Sequence, residues 1–332
     1  MPLTLTRSGI GQDGYVRIQK ETTFNTAATT SMTLIPALAD SSFQLEDANI
    51  ENANVMSTRL KQAPDLGRRS VKFTLKLSLS FPLIGTLFNL LLGTSTNSGT
   101  GAYVHTWLAP TSGIRIGKSF TMEVALGSDN AEQLTGCTFT TLGISCDNSG
   151  QVIVTMEGVG CSYTTGVSRI SSFSYPTALP ANFSNCAVNI SGGSVPVYSF
   201  EYNFNLNYDT ESFYAGSRNI AQPVFKGIPE MMLKCTVDSD DQFKVAARAH
   251  TAYTSNLISI TSFEIANGAT VYKTEIEIPK MRLSPGLKNP FGNDKLTMDL
   301  EFDCGYGGTT TGSAVNSVMA EFRVTDATAT YA

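Results

Sequence analysis

The chain has 332 residues, 42% of them hydrophobic and 9% aromatic, which is enough for a large core and too much for a disordered segment. Charged residues make up only 15% and the formal net charge is -5, so the molecule as a whole offers no basic attraction to nucleic acid or to an anionic membrane. Two histidines, and six cysteines without a CxxC pair, leave little material for imidazole catalysis or a zinc site.

At ~100–200 residues per domain, the length fits about two domains. Residues 1–20 contain Arg7, Asp13, Arg17 and Lys20 and no apolar core, which is not the pattern of a secretory signal. The most apolar stretch, Phe81 to Leu92, is far short of the ~20 residues that span a bilayer. These features favour a soluble chain made in a reducing cytosol. Cys137, Cys146, Cys161, Cys186, Cys235 and Cys304 are then expected as buried free thiols, not disulfides.

In chain order, Met1 to Gln12 is polar and without pattern, and reads as an arm that docks on a neighbour. Period-two alternation marks strands at Val71–Leu77, at Val152–Met156, from Phe200 to Tyr208 and from Leu296 to Phe302. A helix is predicted from about Pro82 to Leu92, with Leu83, Leu87 and Leu91 on one stripe, Pro82 in the first turn and Gly93 at the stop. A second is predicted from about Asp241 to His250. The acidic run Asp238-Ser239-Asp240-Asp241 ahead of it lacks the Gly and distal Glu of a calcium loop, and reads as a cap that meets the helix dipole. With so little helix, the fold class is mainly β.

The order of features repeats. Ser42-Phe43 returns as Ser199-Phe200, Thr58-Arg59 as Ser217-Arg218, and Gly67 with its following strand as Gly227 with Met231–Val237, all at offsets of about 160 residues. Each unit then closes with a strand pair, Gly136–Ser145 with Gln151–Glu157 and Tyr272–Leu283 with Lys295–Glu301. The organisation expected is an N-terminal arm (1–37), a first β unit (38–168), a linker (169–183) and a second β unit (184–332), each unit carrying a short flanking helix.

Several segments resemble one family. Gly14-Tyr15-Val16-Arg17-Ile18-Gln19-Lys20-Glu21-Thr22-Thr23-Phe24-Asn25-Thr26-Ala27-Ala28 is similar to the "G-Y-x-x-I-x-K-E-T-T-x-G-T-A-A" start of phage tail tube proteins, with Asn25 in place of the usual glycine. Gly67-Arg68-Arg69-Ser70-Val71 resembles the glycine–basic run of that family, and Tyr103-Val104-His105-Thr106-Trp107 its "Y-x-H-x-F" strand. Leu134-Thr135-Gly136-Cys137 resembles its "Y-T-G-C" turn, and Ile276 to Leu283 its "I-x-L-P-x-V-R-L" strand.

The resemblance implies a major tail tube subunit of a long-tailed phage, found in the virion tail and assembled in the bacterial host cytoplasm. It implies tail-tube-type β-sandwich or barrel units that join edge to edge in rings, with rings stacked into a hollow tube for DNA. A duplicated chain needs three copies to present six units, hence a homotrimer with pseudo-sixfold symmetry. A tape measure protein and a tail terminator are the partners expected, and DNA passes without specific binding. The strand faces Glu201, Asn203, Asn205, Asn207 and Asp299, Glu301, Asp303 are candidate polar surfaces for such a bore.

No residue is assigned a catalytic, cofactor-binding or metal-binding role, and no cofactor is expected. His105 and His250 lie on different elements, and no GxSxG or HExxH spacing accompanies them. The basic cluster Arg59, Lys61, Arg68, Arg69, Lys72 and Lys76 lacks aromatic interleaving and reads as an inter-ring loop before it reads as a DNA contact. Gly305 to Ser313 lacks the Lys and helix of a phosphate loop and reads as a hairpin or arm. The alternatives are another virion component, such as a terminator or decoration protein, and a two-domain β-sandwich adhesin. An adhesin would show an export signal or an aromatic platform at its loop tips.

Overall fold

The computed structural model describes residues 14–28, 32–51, 64–109, 113, 115–127, 130–177, 179–190, 192–239, 257–267, 270–284, 297–305, 308–310 and 316–331. The chain opens with β1 (Tyr15–Lys20), β2 (Thr33–Ile35), β3 (Ser42–Ile50), β4 (Asp65–Ser78) and β5 (Ser80–Phe81), followed by helix α1 (Leu83–Leu92). Next come β6 (Thr96–Ser98), β7 (Tyr103–Leu108), β8 (Phe120–Ala125), β9 (Ala131–Asp147), β10 (Ile153–Gly160), β11 (Ser162–Val167) and β12 (Leu179–Pro180). The second half holds β13 (Cys186–Ile190), β14 (Gly193–Ser194), β15 (Val197–Asn205), β16 (Glu230–Asp238), β17 (Leu257–Asn267) and β18 (Thr270–Leu283). It ends with β19 (Thr297–Cys304), β20 (Gly308–Thr309), β21 (Asn316–Val318) and β22 (Glu321–Asp326). The chain is mainly β, as its alternating pattern requires, with one α-helix among the described residues.

Two layers form the body. In the first, seven antiparallel strands lie side by side in the order β3-β4-β10-β9-β15-β16-β19. The second consists of β2-β1-β8 and β11 against the first part of β9, and of β14-β13-β17-β18-β22-β7-β6. Apolar side chains that alternate along each strand meet between the layers. Phe73 packs against Phe139 and against Phe120 of β8 at centroid distances of 5.8 and 5.9 Å. In the second half Phe200 meets Phe263 of β17, and Phe204 meets Phe322 of β22, both at 5.8 Å. One contiguous apolar core runs through both halves; each large side chain buried there contributes about 1.5–3 kcal/mol.

The order β3-β4-β10-β9-β8-β1 in the first half returns as β15-β16-β19-β18-β17-β13 in the second. The registers agree as well. Phe43, Phe73, Gly158 and Phe139 stand in one row across β3, β4, β10 and β9. Tyr202, Leu233, Phe302 and Leu283 stand in the matching row across β15, β16, β19 and β18. Two strand pairs tie the halves together: the end of β9, Thr141–Asp147, pairs with β15, and β7 pairs with β22.

Two elements differ from the sequence expectation. The alternation from Phe200 to Tyr208 ends as a strand at Asn205, because Asn207 takes a positive φ of 50° and its N–H bonds back to Asn205 Oδ1 at 2.8 Å. Asparagine tolerates that left-handed turn, so amphipathic spacing continues where the ladder does not. Helix α1 keeps its expected bounds, with Pro82 at the N-cap and Gly93 closing it through an N–H to Asn89 O. It is buried on almost every side and not along one stripe, since β5, β7, β9 and β22 all contact it. The helix expected at 241–250 lies outside the described residues.

All six cysteines are free, and five of them are buried, with Cys186 partly so. Burial pushes the Cys186 and Cys235 thiols up to about 12, so thiolate is scarce at ordinary pH. At pH 8 a disulfide-exchange reagent is expected to label the native protein slowly, and to find all six thiols once denaturant is added. Fast labelling of several thiols in native protein would contradict the packing.

Candidate functional site

The seven-stranded layer has one apolar face and one polar face, and the polar face is where the candidate residues gather. Register places Glu201 beside Lys234 and Lys234 beside Glu301. Asn203 lies opposite Gly143, which lies opposite Thr155, which lies opposite Lys76. The two faces singled out from sequence, Glu201-Asn203-Asn205 and Asp299-Glu301-Asp303, are thus parts of one continuous polar surface that runs from β19 to β3. Asn207 is not part of it; its side chain closes a turn onto Ile228 O at 2.6 Å.

The charges on this face are mostly acidic. Glu46, Glu157, Glu201, Glu230, Asp299, Glu301 and Asp303 share it with Lys72, Lys76 and Lys234. Each of those lysines already meets a carboxylate: Lys72 with Glu46 at 3.1 Å, Lys76 with Asp40 at 3.4 Å and Lys234 with Glu301 at 3.7 Å. Exposed pairs of this kind add at most ~1 kcal/mol each. Their larger effect is that each of these three lysines has a carboxylate beside it, which weakens its pull on phosphate. Sequence reading missed Glu157 and Glu46 on this face. The signal was there in the alternation Thr155, Glu157 against Val154, Met156, but only pairing shows that Glu157 stands beside Thr141 of β9, with Asn205 of β15 on the other side of that residue.

The basic run is a strand and not a loop. Arg68 to Lys76, the described part of the cluster, lies within β4, and Arg69, Lys72 and Lys76 each meet a carboxylate of the same chain. Arg69 makes a two-pronged contact with Asp47 at 2.7 and 2.9 Å, which holds the Asp47 carboxyl below the usual carboxylate range. Arg218 reaches the same carboxylate at 3.4 Å and bonds Gly67 O at 2.8 Å, while Arg68 lies over the Phe213 ring at 5.2 Å. This knot, reinforced by Arg69 N–H to Arg218 O at 2.7 Å, fixes the loop of residues 206–229 beside the start of β4. At that end of the sheet Ile50, Leu66, Tyr214 and Ile228 are exposed.

The remaining candidates have structural roles or lie elsewhere. His105 is fully buried, bonds Thr328 O through Nε2 at 2.7 Å and packs edge-on against Tyr331. Asp238 accepts from Tyr198 OH at 2.9 Å. Gly308–Thr309 and Asn316–Val318 form a two-stranded hairpin. Met1 to Gln12, Arg59, Lys61, Asp240, Asp241 and His250 lie outside the described residues. Among the described residues no group of three or more His, Cys, Asp or Glu is placed to hold a metal ion, and no helix is long and apolar enough to cross a membrane.

The N-terminal segment and the Leu134–Cys137 segment meet. Glu21 is buried, and its carboxylate accepts from Gly136 N at 2.8 Å, Asn25 N at 2.9 Å and Thr121 Oγ1 at 3.1 Å. Leu134 to Cys137 is part of β9 and not a turn of its own; Gly136 kinks the strand there with a φ of 64°. Asn25 has a φ of 57°, a conformation that glycine adopts freely and asparagine tolerates. Asn25→Gly is therefore expected to keep the melting temperature within a few degrees. Asn25→Val, which strains the backbone and loses the Thr135 Oγ1 bond of 2.7 Å, should cost roughly 2–3 kcal/mol in denaturant titration.

A comparison with curated proteins returns no match. The family model described as phage tail tube protein matches residues 11–327, nearly the whole chain, and this makes the protein a structural component of a phage tail. The amphipathic sheet, the N-terminal signature around Glu21 and the extent of that match lead to one conclusion: the chain belongs to the phage tail tube protein family.

Proposed function

We propose that the chain is the major tail tube subunit, and that three copies close into a ring whose six β units line a channel for DNA with the polar face of the seven-stranded layer. The observation that carries this reading is that layer itself. It joins the two repeated strand orders into one wall, one face of it packed and the other polar and net acidic. A DNA duplex carries one negative charge per ~1.7 Å of axis, so a net acidic wall whose described lysines are each paired with a carboxylate repels it and lets it slide. The duplicated register supports three copies: each chain already contains one unit-to-unit junction, at β9 and β15. Contacts of one sense close into a ring when the rotation closes. Rings then stack through the ends of the sheet, where Ile50, Leu66, Tyr214 and Ile228 offer apolar surface.

Electron microscopy of the purified protein tests this. Hollow tubes or stacked rings are expected, with threefold end-on averages showing six similar lobes. Rings with six chains, or discrete particles that never stack, would refute the trimeric tube. The six-lobed trimer also separates this reading from an adhesin, which would not form rings.

A further inference from the structure

We propose that Cys146 and Cys186 are a modification site: a thiol pair that closes into a disulfide between the two layers, with a small-molecule disulfide as oxidant. The site lies beyond the tube reading and does not depend on it.

Topology brings the two side chains together. From β9 the first layer passes through β15 and β16 to β19. There it turns a corner, since β19 pairs with β18, and continues in the second layer as β17 and β13. β15 therefore lies against β17, where Phe200 meets Phe263 at 5.8 Å, and the next strands out, β9 and β13, lie against each other. Cys146 stands beside Phe200 on β9, and Cys186 stands beside Phe263 on β13. Both face inward. Cys146 belongs to the core with Leu142 and Ile144, and Cys186 packs against that core in line with Val188 and Ile190.

Packed layers ordinarily stand ~10 Å apart, too far for a disulfide, whose α-carbons lie ~4–7 Å apart. Here the chain itself crosses between the layers and draws them together. Phe183 N–H bonds Gly150 O at 3.1 Å, just after the end of β9. A 3-10 turn, Phe183–Asn185, then closes with Cys186 N–H on Phe183 O. Three residues at ~2 Å rise span only ~6 Å. Cys146 Sγ lies 3.8 Å from the same Gly150 O, so one carbonyl locates both cysteines. In agreement, Cys146 adds to burial in pushing the Cys186 thiol up.

Cys186 is the point of entry, because it alone of the six is not fully buried. Its thiolate attacks one sulfur of the small-molecule disulfide and releases a first thiol. The Cys146 sulfur then attacks the Cys186 sulfur and releases a second. Two cysteines are oxidised, one disulfide is reduced to two thiols, and the two protons given up by the cysteines end on those thiols. Burial keeps the thiolate scarce, so closure is slow. In reducing surroundings the pair stays open, and in oxidising ones it closes; a released phage particle stands in the second kind. The bond staples the end of the first repeated unit to the start of the second.

The test uses full-length protein, reduced, freed of reductant and held for hours at pH 8 with glutathione disulfide. It is then alkylated in denaturant and digested without reduction for mass spectrometry. A peptide pair joined through Cys146 and Cys186 is expected, with the other four cysteines alkylated. Because the bond closes a loop of about 40 residues, the oxidised protein should melt about 5 °C higher, and dithiothreitol should reverse this. In Cys146→Ser the reaction should stop at a mixed disulfide on Cys186, without that rise. A mixed disulfide that persists on Cys186 of the unsubstituted protein overturns the proposal, as does a bond between any other two cysteines. Alkylation of all six after prolonged exposure overturns it too, since the pair is then not oxidised in the native fold.

Discussion

Gly158→Ala is expected to lower the melting temperature by roughly 5–10 °C, corresponding to about 3 kcal/mol. A methyl group at that position would lie 2.4 Å from Thr138 O and 2.4 Å from Phe73 Cζ. The phenyl ring has no room to retreat, because Phe73 is wedged against Phe120 and Phe139, and the carbonyl belongs to the neighbouring strand β9. Gly158 sits where the β10–β9 ladder shifts register, between Glu157 and Gly158. The shift draws the two backbones together, and only a residue without a side chain fits there. Circular dichroism melts of the two proteins decide the matter; an unchanged melting temperature would mean that β9 can move away, and that the junction it makes with β15 is softer than described.

The second large effect is expected at the single tryptophan. Trp107 is 1% exposed, donates from Nε1 to Gly93 O at 3.1 Å and packs within 5.7 Å of both Phe88 and Tyr331. Trp107→Ala removes that ring from the centre of the α1 contact and orphans the carbonyl that ends the helix. A loss of about 3–5 kcal/mol is expected from the cavity and the missing bond together. Trp107→Phe keeps most of the volume and should cost about 1–2 kcal/mol. Because no other tryptophan is present, intrinsic emission of the native protein should be blue-shifted and should move red in step with unfolding of this cluster. Early red-shift, well before the global transition, would show that α1 detaches by itself.

What the sequence could disclose depended on whether a signal was local. Alternation exposed β4, β10, β15 and β19, because a strand with one packed face and one polar face must alternate. Helix α1 was readable from Pro82 and Gly93. Matching Ser42-Phe43 to Ser199-Phe200 sets the halves two residues from the pairing by register, where Phe43 corresponds to Tyr202. A slip of two keeps every side chain on its own face, so hydrophobic pattern cannot detect it. Pairing between remote strands was not readable. Nothing local says that β9 continues onto β15, and so the polar faces of the two halves looked like separate candidates. The basic run was misjudged for the same reason: the acids that satisfy Arg69 and Lys72 lie on β3, Asp47 and Glu46, and only the hairpin brings them opposite.

The pairing of β7 with β22 has a consequence for the order in which the protein is made. Helix α1 is covered by Phe322 and by Tyr331, whose ring lies so close over Gly85 that a methyl group there would collide with it. Both covering residues are translated more than two hundred positions after the helix. At ~5–20 residues/s a nascent chain spends roughly 10–45 s with this apolar helix still uncovered. During that interval the first half can build its strands but cannot seal its helix, and a ribosome-bound or truncated chain offers a sticky face where a finished one offers a closed one. Completion of synthesis is therefore the step that closes the body: only a chain that has docked its last strand and its C-terminal Tyr331 covers α1.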